Sequence, residues 1–258
     1  MRDNWKIWDG NKAYGKVFYE RATGKLPEME SSKAVARHVA QLAKKNDLIL
    51  DAGCGGGHYL VSLDRTLKIP FRYYGIDATA NYIKLARTAF AKKINNNPLR
   101  MLYEFKVADI FDIDLADGFA DIVMCNNVLL HLPSIEKPIK ELWRVAKKYL
   151  VIRTLIGKVS FRIKQIIPPE KYTKDGEPCN FHYFNIYSQE YIQELVDKLP
   201  GVKSHRLFED TDFNPSNIGA SNYKNRKRPH NLTTIINGMQ VNNYVILPMK
   251  FLIIEKGK

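Results

Sequence analysis

Leu48-Ile49-Leu50-Asp51-Ala52-Gly53-Cys54-Gly55-Gly56-Gly57-His58 is an aliphatic run that stops at an aspartate and enters a turn of four glycines. Together with Asp47, the aliphatic part predicts a buried strand from Asp47 to Ala52, because a short β-branched and aliphatic run ending at glycine suits a strand covered on both faces. The glycines have a second meaning. Glycine adopts positive φ without strain and lets backbone come within contact distance of a ligand, so a ligand is expected over this turn.

Outward from that stretch, short apolar runs alternate with longer segments of helical period from about residue 31 to residue 155. A helix is expected over Ser31 to Lys45, where Ala34, Val35, Val39, Leu42 and Ala43 share a face and Ser31 or Ser32 can cap. Further strands are read at Phe71 to Ile76, Tyr103 to Ala108, Ala120 to Cys125 and Tyr149 to Leu155. Helices are read at Asn81 to Lys93 and at Ser134 to Lys148, the latter capped by Ser134. This alternation is that of an α/β fold, a mostly parallel sheet with helices on both faces.

After Gly157 the pattern changes. Residues 158–187 hold Pro168, Pro169 and Pro178 and the aromatics Phe181, Tyr183, Phe184 and Tyr187 without either period. A helix capped by Ser188 resumes to Leu199, followed by strands at Val202 to Glu209 and Asn243 to Glu255. Between those strands, 210–242 is Asn-rich and irregular. Long structureless stretches in a compact domain are usually functional or disordered, so both are expected to wall an acceptor site.

The chain has 258 residues, 45% hydrophobic and 26% charged, the balance of a globular protein with one sizeable core that should fold alone. Its charged and polar N-terminus and the lack of a long apolar run lead to the expectation of a cytoplasmic protein without a membrane span. Cys54, Cys125 and Cys179 are odd in number and widely spaced, so they are expected reduced, with no structural metal. The formal net charge of +13 attracts anions. Much of the excess is lysine spread through helical segments such as 137–148, which reads as solvated helix face.

A dinucleotide fingerprint needs glycine three places after Gly55, and His58 stands there, so a nicotinamide or flavin reading fails at its third glycine. The pattern D-x-G-x-G-x-G that is present resembles motif I of the class I S-adenosylmethionine (SAM)-dependent methyltransferases, with Asp51, Gly53, Gly55 and Gly57 on the family's positions. The next strand ends YYGID, and Asp77, followed by Ala78, matches the residue that grips the SAM ribose. The third ends VADI, where Asp109 resembles the residue receiving the adenine amine and Ile110 the one offering a backbone N–H. The fourth leads into CNNVLLHL, similar to the small-molecule branch of the family, in which Asn126 and Asn127 border the methionine moiety.

The resemblance implies a doubly wound, mostly parallel seven-stranded sheet with the last strand antiparallel. It covers residues 31–155 well and the remainder by topology alone. Residues 1–30, with Trp5, Trp8, Tyr14, Phe18 and Tyr19, resemble an arm that folds over the cofactor, with Tyr14 the contact to test, although packing of these rings against the sheet edge would explain them equally. The implied reaction is methyl transfer from SAM to an O or N atom of a small molecule, an anionic or sugar-derived metabolite among them.

His131 is the nearest candidate for a general base, with His182 and His58 weaker ones. A histidine or polar residue at this place is common in that branch whatever the acceptor. RNA is the alternative acceptor, because Tyr223 to His230 interleaves an aromatic with Lys224, Arg226, Lys227 and Arg228. Against RNA, the NPPY or DPPY type of motif is replaced by NNVL after the fourth strand. A catalytically silent SAM-binding subunit is the reading from a different class.

Overall fold

The computed structural model describes residues 8, 12–94, 101–211, 233–236, 239–242 and 245–257. Two helices come first, α1 (Lys12–Ala22) and α2 (Glu30–Leu42). The alternating unit follows: β1 (Leu48–Ala52), α3 (His58–Thr66), β2 (Phe71–Asp77), α4 (Ala80–Ile94), β3 (Met101–Val107), β4 (Ala120–Asn126), α5 (Glu136–Val145) and β5 (Ala146–Gly157). Then come β6 (Lys164–Ile166), β7 (Phe181–Tyr183), β8 (Tyr187–Ser188), α6 (Gln189–Asp197) and β9 (Val202–Glu209). The last elements are β10 (Thr233–Ile236), β11 (Met239–Asn242), β12 (Val245–Leu247) and β13 (Met249–Lys256).

The main sheet has eight strands, seven of them in the order β3-β2-β1-β4-β5-β13-β9 and β8 paired beside β5. β1 to β5 pair in parallel, and β13 runs antiparallel to both β5 and β9, as the resemblance implied. The strand order reverses between β1 and β4, and the crevice at such a reversal, outside the carboxyl ends of the strands, is where open α/β sheets bind ligands.

Successive residues of a strand point to opposite faces, and the core shows this directly. Leu50, Val123 and Ile152 pack with Leu142, Trp143 and Leu195 of α5 and α6. Their chain neighbours Ile49, Ile122 and Val151 pack on the other face with Val35, Leu60 and Ile83 of α2, α3 and α4. Burying both faces explains why these strands read as unbroken apolar runs.

Several local expectations differ from the structure. Neither Ser31 nor Ser32 caps α2, because both lie inside its first turn. Met29 is the cap residue and makes no side-chain cap bond. The two serines are buried, Ser32 donating to Met29 O at 2.8 Å and accepting from Ser62 Oγ at 2.9 Å, so they join α2 to α3. Ser134 is exposed and does not cap α5. The fully buried Ile135 holds the cap position, so apolar packing sets that helix start.

The expected helix to Lys148 ends at Val145, and β5 begins three residues before Tyr149 because Ala146 already pairs with Ala120. Ser188 does cap α6, accepting from Tyr191 N at 3.1 Å. α3 was not among the expected helices; its first six residues, His58 to Leu63, are all buried, polar ones included.

The stretch 158–187 contains the antiparallel pair β6–β7, and β8, which extends the end of β5 in parallel. The strand expected over Asn243 to Glu255 is divided at Pro248: β12 belongs to a separate sheet with β10 and β11, and β13 to the main one. Proline lacks the N–H a continuous ladder would need. The basic stretch 223–230 and Trp5 lie outside the described residues. Among the described residues no helix is long and apolar enough to cross a membrane, and no group of three or more His, Cys, Asp or Glu could hold a metal. The three cysteines are free thiols.

Candidate active site

The glycine turn after β1 is built as its composition requires. Gly53, Gly55 and Gly57 have φ of +82°, +54° and +76°. Gly53 N–H and Cys54 N–H both donate to Ile76 O, at 2.7 and 2.9 Å, which folds the turn against the end of β2. A cleft opens above it at the carboxyl ends of β1 to β4.

Asp77 stands at the end of β2 on the wall of this cleft. Its Oδ2 accepts from Gly55 N at 2.9 Å and its Oδ1 from Thr79 N at 2.8 Å. These bonds fix the carboxylate at the cleft wall, in the place where an acidic group would meet a ribose. Ala78, Asp109 and Ile110 share the wall. Asp109 is oriented by Phe111 N, which donates to its Oδ1 at 3.0 Å.

Asn126, the last residue of β4, is buried on the same wall, and neither its Oδ1 nor its Nδ2 has a hydrogen-bond partner. Burying an amide without partners is costly, so such a pair facing a cleft marks a place where a ligand supplies them. Asn127 lines the cleft too, with φ +59°, yet its amide is engaged elsewhere. Its Nδ2 donates to Tyr59 Oη at 3.1 Å and its Oδ1 accepts from Arg153 Nη1. It positions rather than offers.

Two expected cofactor contacts are not on the wall. Asp51 is buried beneath the turn, where its Oδ2 accepts from Tyr73 Oη at 2.7 Å. Burial pushes its carboxyl up to about 7, the Tyr73 bond opposing and the Asp77 charge adding. Gly57 faces inward: a β-carbon there would meet Phe105 Cε1 at 2.8 Å, so glycine is required for core packing.

α1 closes the cleft from above. Tyr14 and Phe18 line it, and the Phe18 ring lies over the turn, 3.0 Å from where a Gly55 β-carbon would be. Phe18 also stacks on His58 with ring centroids 4.6 Å apart and planes within 6°. Burial, with Arg21 nearby, lowers His58 to about 3, so that ring is neutral.

His131 ends a short 3₁₀ turn, Leu129–His131, and lines the cleft beside Trp8, ring centroids 5.0 Å apart. Its Nδ1 lies 2.8 Å from Tyr183 O. A carbonyl only accepts, so Nδ1 carries the proton and Nε2 keeps the lone pair. Burial lowers the ring to about 4, the Tyr183 bond opposing and His182 adding. His182 is not on the cleft wall and hydrogen-bonds Gln165 through Nε2 at 2.8 Å.

Thr79, Tyr59 and Tyr82 line the cleft and were not singled out in the sequence. A signal existed for one other residue: Arg153 is a lone charge inside the apolar run YLVIRTL, and an arginine in a buried strand needs a partner.

The residues present fit SAM: a strand-end carboxylate on the cleft wall for a ribose, a buried amide with both atoms unpartnered, and a glycine turn. Residues 50–152 match the family model described as "Methyltransferase domain". An uncharacterized methyltransferase of Schizosaccharomyces pombe is 29% identical over 117 residues, 43% of this chain and 40% of that protein. The chain therefore spans about two fifths of the length of that curated relative.

A SAM-dependent methyltransferase of Methanosarcina mazei superposes with a TM-score of 0.54 at 18% identity, over 85% of this chain and 97% of its own. A SAM-dependent methyltransferase of Thermotoga maritima, described as a possible histamine N-methyltransferase, gives 0.54 at 14% identity over 98% and 99%. Motif order, sheet topology and the matched domain agree: residues 50–152 are similar to a methyltransferase domain, and the fold is one that SAM-dependent methyltransferases share.

Proposed function

We propose that this protein transfers the methyl group of SAM to a nitrogen or oxygen atom of a small-molecule acceptor, with His131 receiving the acceptor's proton. The observation that carries the proposal is the fixed tautomer of His131, whose Nδ1 is held by Tyr183 O while the ring lines the same cleft as Asp77 and Asn126. That leaves Nε2 as a hydrogen-bond acceptor for an O–H or N–H. SAM supplies an activated methyl on a sulfonium, and the protein's own task is to hold and align the acceptor.

Asp77 and Asn126 hold the cofactor side. Trp8, Tyr14 and His131 give the other side aromatic surface, and the charges on the described wall are those of Asp77 and Asp109. Aromatic faces, with no Lys or Arg on the described wall, favour an uncharged or cationic acceptor over an anionic one. At neutral pH His131 is uncharged, so it orients the reacting atom by accepting its hydrogen and takes the proton as methylation makes that atom acidic.

Calorimetric titration with S-adenosylhomocysteine (SAH) tests the cofactor side: micromolar binding lost in Asp77→Ala supports it, and no binding to the wild type overturns it. An acceptor screen then takes amines and phenols first and RNA second. Binding without turnover on any acceptor would instead favour a silent SAM-binding subunit.

A further inference from the structure

We infer that Arg153 and Asp210 are positioning residues for the cofactor side of the cleft, acting through Asn127; the inference rests on the reading of that cleft as a SAM site. Arg153 is 3% exposed, on the part of β5 that pairs with the end of β4. Its Nε donates to Asp210 Oδ2 at 2.8 Å and its Nη2 to the same oxygen. The Asp210 side chain is fully buried. The remaining arm, Nη1, donates to Asn127 Oδ1, and Asn127 N–H returns a bond to Arg153 O at 2.9 Å.

Asn127 is thus held from three sides: by Arg153 twice and by Tyr59 Oη, which receives its Nδ2. This matters because of its neighbours. Asn126 before it carries the unpartnered buried amide, and Val128 after it presses on Gly53 of the glycine turn. Asn127 sits in the left-handed region, φ +59°, which a non-glycine residue holds only when its surroundings enforce it. The guanidinium fork supplies that enforcement with fixed, planar geometry.

Asp210 also ties the arrangement to the second insertion, whose first residue it is. Its backbone N–H donates to Met249 O at 3.1 Å, so the start of the segment and the start of β13 are pinned together beside Arg153. A shift of that segment would withdraw the counter-charge from Arg153, and a buried charge losing its partner is strongly disfavoured.

The test separates backbone conformation from side-chain linkage. Asn127→Gly keeps the left-handed φ accessible and removes both side-chain bonds. Asp210→Asn keeps the shape and removes the charge. Arg153→Lys keeps a charge but cannot bridge Asn127 and Asp210 at once. All three are expected to weaken SAH binding about tenfold and to raise KM for SAM with kcat within about twofold, since one lost charge-assisted bond is of that size.

Thermal transitions show which variants fold, and any folded one decides. A folded Asn127→Gly or Asp210→Asn protein with wild-type SAH affinity overturns the inference while leaving the SAM site intact. Loss of binding in the wild type itself overturns the functional reading instead.

Discussion

Val128 Cγ2 occupies the space where Gly53 would carry a β-carbon. Gly53 also has φ +82°, so an alanine there meets both backbone strain and overlap. Gly24, with φ +79° and open space around it, meets the strain alone. Gly24→Ala is expected to cost about 1–2 kcal/mol and Gly53→Ala clearly more in urea unfolding. Val128→Ala in the Gly53→Ala background should recover part of the difference. Equal costs at the two glycines would show that Val128 yields freely.

Asp77 anchors two backbone N–H groups besides facing the cleft. Asp77→Asn places an amide N–H₂ against one of those donors, so SAH affinity is expected to fall roughly 10- to 100-fold, the size of one or two charge-assisted hydrogen bonds. Titration calorimetry reads this directly, and unchanged affinity would remove Asp77 from the ribose site.

The pattern of glycines and aspartates made one wall of the cleft legible in the sequence, because backbone demands at Gly53 and Gly55 and the strand-end place of Asp77 are local. The inward roles of Asp51 and Gly57 were not legible. Whether a residue next to such a turn faces ligand or core depends on Tyr73 and Phe105, which arrive from β2 and β3. α3 shows a related limit: its first six residues are all buried whatever their polarity, His58 and Ser62 included, so hydrophobicity alone does not mark its inner face. The role of Arg153 depends on Asp210, 57 residues away.

His131 is lowered to about 4, so it is neutral across pH 6 to 9 and becomes protonated, losing its Nε2 lone pair, only as pH falls through about 4. The turnover that depends on it is expected to be flat above about pH 5. His131→Ala should lower kcat on the order of 10²-fold, the lower end for proton-transfer catalysis, with SAH affinity unchanged. Unchanged kcat in that variant would take proton transfer away from His131.

Asp51 gives a stability signature. Its carboxyl is raised from 3.8 to about 7 by burial, so the folded state favours the protonated form. The stability this group contributes is fully present below the unfolded value near 3.8 and is lost as pH rises to about 7. Asp51→Asn stays neutral, so its thermal midpoint is expected to gain on the wild type between pH 5 and pH 8. A constant difference over that range would mean that Asp51 is ionised throughout.

Both insertions leave and rejoin the sheet near one place. Tyr187, at the end of the first, pairs with Ile156, whose N–H donates to the O of Pro248, and Pro248 precedes the strand on which the second insertion closes. Because each excursion departs and returns through hydrogen bonds near the tip of β5, the entropy of closing it grows only as the slow logarithm of its length. The scaffold thus works like a socket: outside the residues that hold His131 and Arg153, namely Tyr183 and Asp210, the length of each excursion can change while the sheet stays in register.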